Sequence, residues 1–438
     1  MNGDIQPGLL VLHGNRLELL RDAVFDWLAR RPLEPLEEEV FLVQSNGAAE
    51  WLKMSLAQGS GICAATRVEL PARFLWRSYR QVLGRGSVGS GSPLDKQALA
   101  WRLMRLLPGQ LAQPGFDAIA GFLTGNDLSR RLQLAQQLAD LYDQYQVYRA
   151  DWLAAWEQGR DALPVLGSTE SPLQPDQHWQ AALWRALLAE LPDSQRRLTR
   201  TQVHQDFLAA LRGAAPSAEP LPRRVVLFGA AHVPGQTLEA LAALASRCQV
   251  LIAIPNPCRF HWADIMEGRE LLRPTRQRLP EKTSTRLADV ALPAMHEHAH
   301  PLLAAWGRQG RDFIRLLDSF DDTERARRQI DIPRVDLFDE GSGVTLLEQA
   351  QACIRDLVPL SEHGRGQVAA SDQSIVFHVA HSAQREVEIL HDQLLKLLAA
   401  PVQGAAVNPR DIVVMVPDVE LFAPAVRAVF GQDRKSVV

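Results

Sequence analysis

The chain has 438 residues, 46% of them apolar and 22% charged, which suits two or three packed domains and excludes a disordered or fibrous chain. Its net charge of −4 excludes a polycation, although a basic groove on a near-neutral protein can still hold nucleic acid. No apolar run approaches the roughly 18 residues of a membrane span, and the amino terminus reads as lacking a secretory signal.

In chain order, Leu9-Leu10-Val11-Leu12 is a short apolar run that ends in the turn His13-Gly14-Asn15, so it reads as a buried strand. Asn15 is placed to cap a helix whose apolar residues Leu19, Leu20, Val24, Phe25 and Leu28 fit helical spacing. Val40-Phe41-Leu42-Val43 is a second strand, followed by Gln44-Ser45-Asn46-Gly47. Two buried strands with a helix between them make a parallel unit. From Leu70 to about Leu211 the pattern turns helical, with amphipathic segments at Lys96–Leu107, Leu128–Tyr148 and His178–Leu191 and a glycine-serine loop at Ser87–Pro93. Strands return at Arg224–Gly229 and Val250–Ile254, flanking a helix over Thr237–Ala245. One parallel sheet follows, with the helical region inserted between its second and third strands.

Residues 255–300 read as irregular, and one helix is expected from about Leu302 to Phe320. Linker composition occurs near Gly341–Gly343 and Gly364–Gly366. The opening pattern then repeats: strand Ile375–Ala380, helix Gln384–Leu398, strand Asp411–Val416, helix Leu421–Phe430. Two strands are too few for a stable sheet, so the chain reads as truncated, with Asp433–Val438 foreign to the natural frame.

A Walker-type phosphate loop needs glycines for close backbone approach and then Gly-Lys-Ser/Thr to reach phosphate and magnesium. The five lysines follow Leu52, Asp95, Glu281, Leu395 and Arg434, never glycine, so that motif is absent. His13-Gly14-Asn15-Arg16 stands where such a loop belongs, with one glycine and no lysine.

Open parallel sheets bind ligands beyond the carboxyl ends of their strands. Gln44, Ser45 and Asn46 lie there, with Glu50 one helical turn on. Their amides and hydroxyl can read base edges, or Ser45 or Asn46 can simply cap the helix. Tyr142, Tyr145 and Tyr148 recur every third residue; such a stripe either stacks bases or packs a core. Arg308, Arg311 and Arg315 share a helix face that either tracks phosphates or is merely solvated. His296, His298 and His300 alternate and would share a side of an extended segment, but no acidic or thiol partner stands at metal-ligand spacing. Cys63, Cys248, Cys258 and Cys353 form no Cys-x-x-Cys pair, which suits reduced cytoplasmic thiols and argues against a zinc site. Neither a carboxylate-lysine nuclease cluster nor Gly-x-Ser-x-Gly is present.

Several longer segments carry a resemblance together. They are Leu42-Val-Gln-Ser-Asn-Gly-Ala-Ala-Glu-Trp-Leu-Lys-Met, Leu70-Pro-Ala-Arg-Phe-Leu-Trp76, Asp140 through Leu153, Asn256 through Asp264, His378 through Glu388 and Asp411 through Asp418. From about Leu9 to Gln432 the chain resembles the RecC family, the gamma subunit of exodeoxyribonuclease V, the RecBCD complex. That family chain is much longer and carries a nuclease-like domain further on.

The resemblance implies an α/β fold: a parallel-sheet, superfamily 1 helicase-like domain with a large all-helical insertion, then the start of a second α/β helicase-like domain. Residues 1–340 would be the inactivated first domain, with its sheet in 8–69 and 222–340 and its insertion in 70–221. Residues 341–372 would be a linker and 373–438 the start of the second domain. It implies a non-catalytic DNA-binding subunit of an ATP-dependent helicase/exonuclease, acting in double-strand break repair by homologous recombination. The subunit would channel separated strands and recognise Chi in single-stranded DNA. Partners would be RecB, RecD and single-stranded and forked duplex DNA, with no membrane. ATP and Mg would be used by the partner subunits, with no cofactor or metal in this chain. Location would be the bacterial cytoplasm, nucleoid-associated on DNA.

The family's Chi-tunnel positions fall on Gln44, Asn46, Glu50, Leu70, Trp76, Asp140, Leu141, Asp143, Gln144, Arg149 and Arg200. Asn46 replaces a threonine of the family pattern and Glu50 a glutamine. An acceptor-only carboxylate in place of an amide changes which base edge can be read, implying a different Chi sequence or none. Two other classes stay open: an ATP-hydrolysing helicase with an atypical nucleotide site, and a pure scaffold subunit.

Overall fold

The computed structural model describes residues 5–431 except 90, 124, 126, 165–169, 214–215, 261, 263–299, 321–336, 359–361, 364–367 and 400–406. His296, His298, Gly364, Gly366 and Asp433–Val438 lie outside the described residues.

The elements in chain order are β1 (Gly8–Gly14), α1 (Leu17–Arg30), β2 (Glu39–Leu42), α2 (Asn46–Ser60), β3 (Thr66–Glu69) and α3 (Pro71–Leu83). Next come α4 (Lys96–Gln110), α5 (Asp117–Phe122), α6 (Leu128–Tyr148), α7 (Ala150–Glu157), a short hairpin β4 (Ala162–Leu163) and β5 (Ser171–Pro172), α8 (His178–Ala189), α9 (Asp193–Arg196) and α10 (Arg200–Arg212). Then β6 (Arg224–Phe228), α11 (Gly235–Leu244) and β7 (Gln249–Pro255) complete the sheet. Further helices cover Pro301–Trp306, Arg308–Asp318, Leu346–Arg355, Ala383–Ala399 and Val419–Phe430.

The main sheet is five-stranded and parallel, in the order β1-β7-β6-β2-β3. Side-chain alternation sorts its residues onto two faces. Val40, Leu42, Val225, Leu227, Val250 and Ile252 face a core shared with α3, α10 and α11. Phe41, Val43, Val226, Phe228, Leu251 and Ala253 face a second core shared with α1 and α2. Because β6 and β7 are covered on both faces, they read as continuous apolar runs rather than alternating ones. The helices α4, α6, α7 and α8 pack on one another around a third core that includes Leu99, Leu103, Tyr142, Trp156 and Leu183.

Four expectations change. The sheet has a fifth strand, β3, so the helical region enters between the third and fourth strands. Thr66-Arg67-Val68-Glu69 is an edge strand of mixed polarity, paired only with β2, and lacks the apolar run of the inner strands. The helix expected over Leu302–Phe320 breaks at Gly307, against whose α-carbon the Trp262 ring packs; a Cβ there would meet that ring at 3.0 Å. Asn15 does not cap α1, whose N-cap is Arg16 without a side-chain bond. Finally, Ile375–Ala380 and Asp411–Val416 form no ladder among the described residues. A strand exists through its neighbours: even β1 and β2 do not pair with each other, because β7 and β6 lie between them.

By its contacts the chain divides into two units, residues 1–341 with 350–365 and residues 342–349 with 366–438. The second unit contains the helices Ala383–Ala399 and Val419–Phe430, packed partly through an edge-on contact of His391 with Phe430 at 4.9 Å. No described helix is long and apolar enough to cross a membrane.

Candidate nucleic-acid interface

The carboxyl ends of the strands carry the first group of candidate residues. Ser45, in extended conformation, accepts a bond from the Ala48 N–H at 3.1 Å and is the cap of α2. Asn46 is therefore relieved of capping and lies exposed in the first turn, where helix N–H groups and dipole favour anions. Gln44 is exposed and donates its side-chain amide to the backbone carbonyl of His232, in the loop after β6. Its remaining N–H and its oxygen stay available for a base edge. Glu50 is exposed and pairs with Lys53 at 3.0 Å, a solvent-screened contact one turn along the same helix.

Leu70 is the N-cap of α3 without a capping side chain and is 38% exposed. Trp76, on the same helix, is half-buried and meets Tyr79 edge-on at 5.6 Å. The Tyr79 hydroxyl contacts Nδ1 of His204 on α10 at 2.7 Å, and His204 Nε2 contacts Glu239 on α11 at 2.9 Å. Burial pushes the Tyr79 phenol far above its usual range, so it stays protonated in this relay.

The third group lies on α6. Asp127 caps its start by accepting from Ser129 and Arg130. Asp140 pairs with Lys96, and Lys96 is held charged by that hydrogen bond. Arg200, at the start of α10, bonds Asp95 at 2.8 Å and faces the Asp143 carboxylate at 3.1 Å. The second contact is an ion pair without hydrogen-bond alignment. Leu141 is half-buried against the helical core and Gln144 is exposed. Arg149 ends α6, stacks over Trp152 at 3.9 Å, bonds Asp151 at 2.8 and 3.0 Å and donates to the Pro164 carbonyl.

The tyrosine stripe divides. Tyr142 is fully buried, stacked on Trp184 at 5.5 Å, and donates to the Gln180 carbonyl at 2.7 Å. Tyr145 donates to the Gln180 side chain at 2.8 Å. These two rings serve the helical core. Tyr148 is 54% exposed and stacks on His232 at 5.9 Å and 22°. His232 thus joins the strand-end group to the end of α6, with Gln44 on its backbone and Tyr148 on its ring. Sequence reading singled out neither His232 nor Asp95 and Lys96. His232 lies just beyond β6, where the strand-end rule points; the Asp95–Arg200 pairing spans 105 residues and leaves no local trace.

The turn after β1 is filled by the chain itself. A Cβ on Gly14 would meet the Leu337 carbonyl at 2.8 Å. Asn15 exchanges two hydrogen bonds with the Asp339 backbone, at 2.9 and 2.8 Å. Arg16 pairs with the Asp339 carboxylate at 2.6 Å, and Arg355 donates to the carbonyls of Asp339 and Glu340 at 3.1 and 2.7 Å. The 337–340 segment thus occupies the turn at the start of α1, with the Asp339 carboxylate paired to Arg16.

Of the other candidates, Arg308 is exposed, Arg315 half-buried and Arg311 buried beside Asp312, so Arg311 does not belong to a solvated stripe. His300 accepts from the Leu302 N–H at 3.3 Å and stacks on His363 at 5.2 Å. Among the described residues no group of three or more metal-ligating side chains assembles.

The family description "RecC, N-terminal domain" matches residues 9–357. The RecBCD enzyme subunit RecC of Escherichia coli K12 is 36% identical over 449 residues, covering 97% of this chain and 38% of that protein. Its counterpart of the same name in Haemophilus influenzae is 33% identical, covering 98% and 40%. The one in Mycolicibacterium smegmatis is 30% identical, covering 96% and 34%. The chain therefore spans about two-fifths of the length of these curated relatives. A match over this much of the chain, through both the sheet and its helical insertion, shows that the chain belongs to the RecC family.

Proposed function

We propose that this chain is part of a non-catalytic DNA-binding subunit of a RecBCD-type helicase–nuclease, acting in double-strand break repair. In this reading a helicase-like framework, stripped of ATP chemistry, channels a separated strand and reads Chi on it. RecB and RecD type partners supply the motors and use ATP and Mg. The observation that carries the reading is the convergence of Gln44 and the end of α6 on one loop beyond the strand ends, through His232. Sealing of the Gly14 turn by Leu337 and Asp339 supports a framework without a nucleotide there.

Within this surface, Gln44, Asn46, Glu50 and Gln144 would offer hydrogen-bonding groups to base edges, and Leu70, Trp76 and Leu141 apolar contact. Asp140, Asp143, Arg149 and Arg200 are already engaged with protein partners, so they would hold the shape of the passage and exchange partners when a strand enters. In the assembled complex, Asp140→Ala and Arg149→Ala should each weaken the response to Chi while leaving unwinding largely intact. An unchanged Chi response in both variants overturns the assignment of these residues. Tight ATP binding to this chain alone would instead favour a nucleotide-hydrolysing subunit.

A further inference from the structure

Tyr148 stands apart from the other aromatic residues of α6. Tyr142 and Tyr145 have hydroxyl partners and packed rings, whereas Tyr148 keeps 54% of its surface exposed at the last turn of the helix. Half-exposed rings at helix ends are ordinarily mobile, but this one is held. One side lies nearly parallel to the His232 imidazole at 5.9 Å. Phe313, itself buried, meets that imidazole edge-on at 6.0 Å. The Gln44 amide anchors the His232 carbonyl, and Gly229, with φ +67°, turns the chain out of β6 into this loop. Burial pushes the imidazole below its usual pKa, so it is neutral near pH 7 and stacks as an uncharged ring. The neighbouring guanidinium of Arg149 is committed to Trp152, Asp151 and Pro164, so it does not cover Tyr148 as a cation.

We propose that Tyr148, backed by His232 and Phe313, is a preformed stacking platform for one unpaired nucleobase of a single strand passing the strand ends. The proposal rests on the function proposed above and adds two residues, Tyr148 and His232, to its surface. A ring already fixed by its neighbours loses little freedom on binding, and stacking tolerates any base because every base has a π-face. The hydrogen-bonding side chain of Gln44, on the same loop contact, then reads an edge near the stacked base.

The test uses the assembled complex and single strands carrying 2-aminopurine at successive positions, whose emission is quenched by stacking. Photocrosslinking of iodouracil-substituted strands is read in parallel. The expected result is quenching at one position, lost in Tyr148→Leu, retained in Tyr148→Phe and reduced in His232→Ala, with single-strand affinity falling about five- to a hundredfold in Tyr148→Leu. Crosslinks to residues 44–50 with quenching unchanged in Tyr148→Leu overturn the platform and leave the DNA-reading function standing. No crosslink to this chain in the unmodified complex overturns that function and the platform with it. Loss of a subunit from the Tyr148→Leu complex on gel filtration marks the ring as a protein contact and overturns the platform.

Discussion

Arg224 ties β6 to β2, to β7 and to the end of α1 through one buried charged side chain. It is fully buried at the start of β6, bonded to Glu39 at 2.6 Å, to Gln249 at 3.0 Å and to the Arg31 carbonyl at 2.7 Å, with the Trp27 ring 4.7 Å away. Burial raises the Glu39 pKa and lowers that of Arg224, so desolvation outweighs their mutual attraction in each. Such a pair adds little net stability, yet removing one partner strands the other. Arg224→Ala should cost about 3–5 kcal/mol, read by chemical denaturation. Arg224→Lys should recover only part of this, because a lysine cannot make the three-way fork. At this scale the sequence was least legible: Arg224 sits in an apolar run and its partners lie 25 to 193 positions away. Gln44, in contrast, could be picked out locally, because it ends a strand with clear apolar character.

At the scale of elements, periodicity carried most of the architecture. The helix over Leu128–Tyr148 has the predicted bounds, and the inner strands stand where the apolar runs place them. What periodicity missed are elements defined by partners. β3 is visible only through its pairing with β2, and the extended segments at 375–380 and 411–416 have strand composition without a ladder. The Gly14 turn is also such a case. Gly14 stands where the sequence places the turn of a phosphate loop, and its requirement in this protein is the close passage of Leu337. Gly14→Ala should displace the 337–340 segment and loosen the Asn15–Asp339 bonds at a cost of about 1–3 kcal/mol. Faster hydrogen exchange at the Asp339 amide would report the displacement. Unchanged stability together with unchanged exchange would show that the segment does not seal the turn.

At the scale of the whole molecule, the carboxyl ends of a parallel sheet meet the end of α6, in the helical insertion, through the His232 loop. Helices α3 and α10 of the insertion share a core with the sheet, whereas α4, α6, α7 and α8 keep a core of their own; Gln44 and Tyr148, more than a hundred positions apart, meet on His232. Family membership was legible because long motifs survive in order. The contacts that join those motifs were not, because they link positions far apart in the chain. The most direct measurement is photocrosslinking of a Chi-containing single strand, with one iodouracil moved along it, in the assembled complex stalled at Chi, with the attached peptides mapped. The account predicts attachment to both the 44–50 and 140–149 segments from nearby positions on the strand. Attachment only to partner subunits, or to surfaces of this chain remote from both segments, would contradict it.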